Sequence, residues 1–306
     1  MSSATPSGQR VPVATPSGQR VPAATHTGPR VPAATLVLRN VEQQFGGLRA
    51  IAGVSFEVAP RQIFGLIGPN GAGKTTLFNC ITGHYRPTGG DILFGGRSIV
   101  GHKPHQIALS GIARTFQNVR LFGQLSVLDN VLVAAHHTTR SGMWGAMLRS
   151  AAFLDDERAL RRRAHQLLET FELSDVQDEP AASLAYGKQR RLEIARALML
   201  EPKLLLLDEP AAGLNSSEAD KLKQQIRWLR DQFQLSIVLV EHNMQVVMGA
   251  CEHVHCVDHG ETIASGTPEE VQNHPAVLAA YLGTDELVSR VESGKNPAQP
   301  KPEEHE

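Results

Sequence analysis

The run Gly68-Pro69-Asn70-Gly71-Ala72-Gly73-Lys74-Thr75-Thr76 fits G-x-x-x-x-G-K-[ST] and stands between an apolar run, Ile63 to Ile67, and a helical pattern. Glycines at this spacing let backbone N–H groups turn inward around phosphate oxygens, and the helix that follows adds its positive N-terminal end. Lys74 is then placed to reach the β and γ phosphates of a nucleoside triphosphate, and the Thr75 hydroxyl to ligate Mg²⁺. Far downstream, Leu204 to Leu207 lead into Asp208-Glu209. A buried strand that ends in two adjacent carboxylates carries a desolvation cost unless a cation or a reaction uses them. Asp208 suits Mg²⁺ held through water, and Glu209 suits a general base on the water that attacks the γ phosphate.

These residues need a framework, and the apolar pattern supplies one. Alternation at Leu36-Val37-Leu38 and from Val54 to Val58 reads as strand. The uninterrupted runs Ile63 to Ile67, Lys203 to Leu207 and Leu235 to Val240 read as strands buried on both faces of a parallel sheet. Helical patterns between them give an α/β core. One such helix is expected over Asp155 to Phe171, with acids at its start and with Arg161, Arg162 and Arg163 further on, forming a solvated face.

Composition narrows the class. Of the 306 residues, 41% are hydrophobic, enough for an ordinary core. Nowhere do eighteen apolar residues run together, so no segment spans a bilayer and a membrane role must come through a partner. A formal net charge of -1 gives no footprint for nucleic acid. Cys80, Cys251 and Cys256 are too few for a disulfide framework and suit a reducing compartment. The segment Cys251-Glu252-His253-Val254-His255-Cys256 matches no common zinc spacing and reads as a helix end running into a strand. Residues 1–34 form a Pro-punctuated ten-residue repeat with Arg10, Arg20 and Arg30, expected to be a disordered extension. Residues 284–306 are expected to be a flexible tail. One domain, residues 35–283, remains.

In the same order the chain carries Gln117 within Arg114-Thr115-Phe116-Gln117-Asn118, Leu184-Ala185-Tyr186-Gly187-Lys188, Gly213-Leu214-Asn215, and His242 within Val240-Glu241-His242. With the phosphate loop and the acidic strand end, this set resembles the ATP-binding subunits of ABC transporters. The resemblance implies a P-loop NTPase core of ABC ATPase type with an antiparallel β subdomain and a helical signature subdomain at about 118–195. It implies that Gln117 senses Mg²⁺ and the attacking water, that His242 contacts the γ phosphate, and that Phe45 stacks on adenine. It implies that Leu184 to Lys188, the signature turn, and Gly213 to Asn215, the D-loop, meet ATP held by a second subunit. Two positions depart from the family pattern. Ala185 replaces the signature serine, and Asn215 stands where an Asp is usual.

Finer likeness is to the Liv-type importers of branched-chain amino acids, through Arg114 to Phe122, Arg190 to Leu198, Pro210 to Asn215, Glu241 to Met244, and Gly266 through Tyr281-Leu282-Gly283. The helical stretch from His136 to Leu173 resembles that branch too. What this implies is an ATP- and Mg²⁺-dependent ATPase at the cytoplasmic face of the inner membrane. Its partners would be a like copy or a paralogous ATPase, two permease subunits and an extracytoplasmic solute-binding protein. Import of urea or short amides, export of lipid or lipopolysaccharide, and a soluble role in translation or DNA maintenance are the alternatives. The last is disfavoured by a single phosphate loop and by the absence of a long coiled coil before the signature.

Overall fold

The computed structural model describes residues 35–135 and 151–282. The ten-residue repeat, the start of the helical stretch at His136 and the acidic tail lie outside the described residues. Strands are β1 (Leu36–Phe45), β2 (Leu48–Val58), β3 (Ile63–Ile67), β4 (Gly89–Phe94), β5 (Arg97–Ser98), β6 (Ile112–Arg114), β7 (Leu204–Asp208), β8 (Ser236–Val240), β9 (His253–Asp258) and β10 (Glu261–Gly266). Helices are α1 (Lys74–Ile81), α2 (Pro104–Ser110), α3 (Val127–Ala134), α4 (Ala151–Thr170), α5 (Tyr186–Leu198), α6 (Ser216–Phe233), α7 (Met244–Ala250), α8 (Pro268–Gln272) and α9 (Pro275–Leu282).

The strands divide between two sheets. A four-stranded antiparallel sheet runs in the order β2-β1-β4-β5, and a six-stranded sheet in the order β10-β9-β3-β8-β7-β6. In the second sheet β9, β3, β8, β7 and β6 are parallel, and only the β9–β10 hairpin is antiparallel. All residues of β3, β7 and β8 are buried. Side chains alternate across the sheet because the strand period is two. Leu205, Leu207, Ile237 and Leu239 face one core with α5 and α6. Leu204, Leu206, Phe64 and Val238 face the other, with α1 and the antiparallel sheet. Phe56 of β2 stacks on Phe64 of β3, with 4.8 Å between centroids, and pins one sheet over the other.

The two sheets also touch through backbone. Ala52 N–H donates to Gly260 C=O at 2.8 Å. A side chain on Gly73 would lie 2.7 Å from the Ala50 carbonyl oxygen, and one on Gly260 2.6 Å from the same atom. Only the absence of a Cβ allows this approach.

Between β6 and β7 the helices α3, α4 and α5 pack together around Val131, Leu168 and Leu192. Arg161 and Arg162 of α4 are exposed as expected. Arg163 departs from that expectation. It turns toward the end of α5, donates to the Leu198 carbonyl at 3.2 Å and pairs with Glu201. Ala250 ends a helix and His253 opens a strand, and the imidazoles between the two cysteines bond to hydroxyls. His255 meets Ser265 at 3.1 Å and Thr262 at 3.0 Å, and His253 meets Ser265 at 2.9 Å. No described helix is long and apolar enough to cross a membrane.

Candidate nucleotide site

The phosphate loop joins β3 to α1, and Gly73 caps the helix with φ 104° and no side-chain acceptor. The first helical N–H groups therefore face the cleft rather than a capping oxygen. Lys74 is buried, and its ammonium donates to the Gly68 and Pro69 carbonyl oxygens at 2.7 and 2.9 Å. Burial pushes its pKa below the ordinary lysine value, against the pull of the carboxylates of Glu209 and Asp208. A cleft of about 500 Å³ is lined by Asn70 through Thr76, by Phe45 and Arg49 of the antiparallel sheet, and by Glu209 and His259. Phe45 is 42% exposed and meets Tyr85 edge-on at 5.1 Å, which leaves part of its surface at the rim.

Glu209 follows β7 in the left-handed region, φ 44°. For a residue with a Cβ this costs about 1 to 3 kcal/mol. Its own N–H donates to Val240 C=O at 2.9 Å, and Gln117 Nε2 donates to Glu209 Oε2 at 2.7 Å. His242 Nδ1 lies 3.8 Å from the same oxygen, just outside hydrogen-bond range. Gln117 and His242 thus meet at the carboxylate expected to act as general base, although they come from different parts of the chain.

Asp208 sits differently. Its Oδ2 accepts from Arg114 at 2.7 Å, and each of these side chains is only 8% exposed. Arg114 also donates to Asn79 Oδ1 of α1 at 2.7 Å and lies against the rings of Phe78 and Phe116. The ion pair ties β6, β7 and the helix of the phosphate loop together.

Further buried charges brace the site. The Glu241 carboxylate accepts the Ala211 N–H at 2.6 Å and the His242 and Asn243 N–H groups at 3.1 and 3.2 Å. It therefore holds the turn after Glu209 against the turn that carries His242. Burial raises its pKa, and the backbone donors oppose that rise. Glu193 of α5, 1% exposed, accepts the N–H groups of Phe116 and Arg120 at 3.3 and 3.4 Å and pairs with Arg190 at 2.9 Å. Arg190 donates to Phe116 C=O at 2.7 Å. The helix that follows the signature turn grips the Gln117 loop from both sides. Sequence reasoning passed over Arg114, Glu193 and Glu241 as functional residues. The available signal was charge inside otherwise apolar runs, because a buried charge requires a partner.

The remaining motif residues stand apart from this cleft. Leu184 is buried, while Ala185, Tyr186 and Gly187 are exposed where α5 begins. Ala185 is the N-cap residue and makes no side-chain bond. A Cβ on Gly187 would meet nothing within 4 Å. Lys188 pairs with Asp175 at 2.9 Å. Gly213 and Leu214 lead into α6, where Asn215 is the N-cap. Its Oδ1 accepts from Glu218 N–H and its own N–H donates to Glu218, both at 3.0 Å. This reciprocal capping box is a local reason for a short side-chain acceptor at position 215, a need that Asn and Asp meet equally.

A parallel sheet carrying a phosphate loop, with a second sheet closing the cleft, defines a P-loop nucleotide-binding domain. Sequence comparison is more specific. Residues 51–212 match the ABC transporter family, and residues 261–286 match the segment described as branched-chain amino acid ATP-binding cassette transporter. The chain belongs to the ABC transporter family. It is 45% identical over 248 residues to the high-affinity branched-chain amino acid transport ATP-binding protein BraF of Pseudomonas aeruginosa, covering 81% of this chain and 97% of that one. Identity to LivG of Salmonella typhimurium, which carries the same description, is 46% over the same shares. Among solved structures, an ATP-binding cassette of an ABC transporter in its ADP conformation superposes with a TM-score of 0.71 at 29% identity, over 82% of this chain and 99% of the other. The protein is accordingly an ATPase of the transporter class.

Proposed function

We propose that this chain hydrolyses ATP to drive import of branched-chain amino acids. It would work as one of two nucleotide-binding subunits, a like copy or a paralogue, at the cytoplasmic face of the inner membrane. Two permease subunits would hold it there, and an extracytoplasmic solute-binding protein would deliver the solute. What supports the chemistry most directly is the Glu209 carboxylate, bonded to Gln117 at 2.7 Å and facing the cleft that Lys74 and Thr75 line. What supports the solute is the relatedness to BraF and LivG along nearly their whole length.

In this reading the Asn70 to Lys74 backbone and Lys74 bind the phosphates, and Phe45 packs on the base. Thr75 and Gln117 offer oxygen ligands, a set that suits a hard cation, and would hold Mg²⁺, with Asp208, already paired with Arg114, acting through water. Bound there, the ion would neutralise charge on the phosphate oxygens. Glu209 takes the proton from the attacking water, with Gln117 orienting its carboxylate. His242 stands beside the same carboxylate to contact the γ phosphate. The signature turn, with Ala185 to Gly187 exposed, and the D-loop Gly213 to Asn215 would face the ATP of the second subunit. The open side of Gly187 suits such a close approach.

Glu209→Gln in the assembled transporter tests the chemistry. Steady-state hydrolysis should fall by at least about a hundredfold while ATP binding persists, since the base is lost and the phosphate loop is untouched. Retained turnover would remove Glu209 as the base. For the solute, a leucine-loaded binding protein should stimulate hydrolysis by the reconstituted complex, and a urea-loaded one should not.

A further inference from the structure

Gly68 is the first residue of the phosphate loop, and its peptide groups are held from two sides. β3 pairs with β9 as far as Ile67 opposite Cys256, and Gly68 lies just beyond that ladder. Its N–H donates to the hydroxyl oxygen of Tyr281 at 2.8 Å, and its C=O accepts from Lys74 Nζ at 2.7 Å. The backbone there has φ 149°, and a Cβ would run into the Val257 carbonyl oxygen of β9. Only glycine fits, and a glycine backbone has many conformations to lose. Something must select one of them.

Tyr281 is well placed to do so. It lies on α9, 213 residues beyond Gly68, and its half-buried ring packs on the core beneath the loop. The helix is anchored independently, because Val277 is 2% exposed in that core. We infer that Tyr281 is a positioning residue for the phosphate loop, its hydroxyl fixing the Gly68 peptide so that the N–H groups from Asn70 to Lys74 converge on the phosphates. This rests on the reading of the cleft as an ATP site. The residue would act on binding of the phosphates and not on the hydrolytic step, since it touches neither Glu209 nor Gln117.

The test uses the full-length chain in its assembled transporter. Tyr281→Phe keeps the ring and removes the acceptor, leaving the Gly68 N–H without its partner. The expected result is that KM and Kd for ATP rise about tenfold, with kcat at saturating ATP nearly unchanged and the nucleotide-free melting temperature lowered only slightly. Val277→Ala serves as the second variant, since it loosens the same helix without touching the hydroxyl. It should lower the melting temperature and leave KM for ATP near wild type. An unchanged KM and Kd in Tyr281→Phe overturns the inference while leaving the ATP site intact. So does an equal rise in KM in Val277→Ala, which would make Tyr281 an ordinary packing residue. A wild-type chain that binds no ATP overturns the reading of the cleft itself.

Discussion

Arg114 and Asp208 form a 2.7 Å ion pair in which both side chains are almost wholly withdrawn from water. The guanidinium reaches across from β6 to the end of β7 and on to Asn79 of α1. Removing one partner of a buried pair strands the other charge. Arg114→Met is therefore expected to lower unfolding stability by about 3 to 5 kcal/mol. Asp208→Asn in the same chain should recover part of that loss, so the two effects should be far from additive in urea denaturation.

Phe45→Ala should weaken ATP binding by about 1 to 3 kcal/mol if the ring stacks on the base. Phe45 also packs against Tyr85, so isothermal titration of the nucleotide is the measurement that separates the two roles. An unchanged dissociation constant would leave Phe45 as a partner of Tyr85 alone.

Ala185 leaves the first turn of α5 without a side-chain acceptor, although its extended backbone, φ -59° and ψ 150°, is that of an N-cap. Ala185→Ser restores a hydroxyl where the helix N–H groups are open. The gain should be about 1 kcal/mol, read as a higher melting temperature. In the proposed dimer the same hydroxyl would face the opposing nucleotide, so a rise in hydrolysis by the assembled complex would show that the position acts across the subunit boundary.

His255 is 1% exposed against Phe56 and Phe64, and burial pulls its pKa from 6.5 to about 4. The folded chain keeps the imidazole neutral where the unfolded chain would protonate it. Its contribution is therefore complete above about pH 6.5 and is lost as pH falls toward 4, by up to about 3 kcal/mol. Replacing His255 with Gln should flatten this acid limb of the stability profile. An equally steep limb in the variant would assign the loss to other groups.

The central strands of the parallel sheet were legible from local patterns, whereas β4, β5, β6 and β10 were not read and the antiparallel sheet was expected only from the resemblance. Runs such as Ile63 to Ile67 and Leu204 to Leu207 have one physical reading, since an uninterrupted apolar strand must be covered on both faces. The phosphate loop was legible for the same reason, as its glycines and lysine act within nine consecutive positions. The braces were not. Arg114 meets Asp208, Glu193 meets Phe116, and Tyr281 meets Gly68 across large separations in the chain. No spacing rule links such residues, and only the folded topology brings them together. Asn215 shows a different limit. Its capping partner Glu218 stands three residues on, a pattern open to reading from sequence that the family resemblance left aside.

The seam at Ala50, where Gly73 and Gly260 close on one carbonyl oxygen, has a mechanical side. The cleft takes one wall from each sheet, with Phe45 on the first and Lys74 on the helix that leaves the second. A molecule reaching from one wall to the other would be a further strut between layers that meet at their inner faces, along this seam and through Thr35 and Ser236. Its departure would remove that strut and leave the joint to the fixed contacts along the seam.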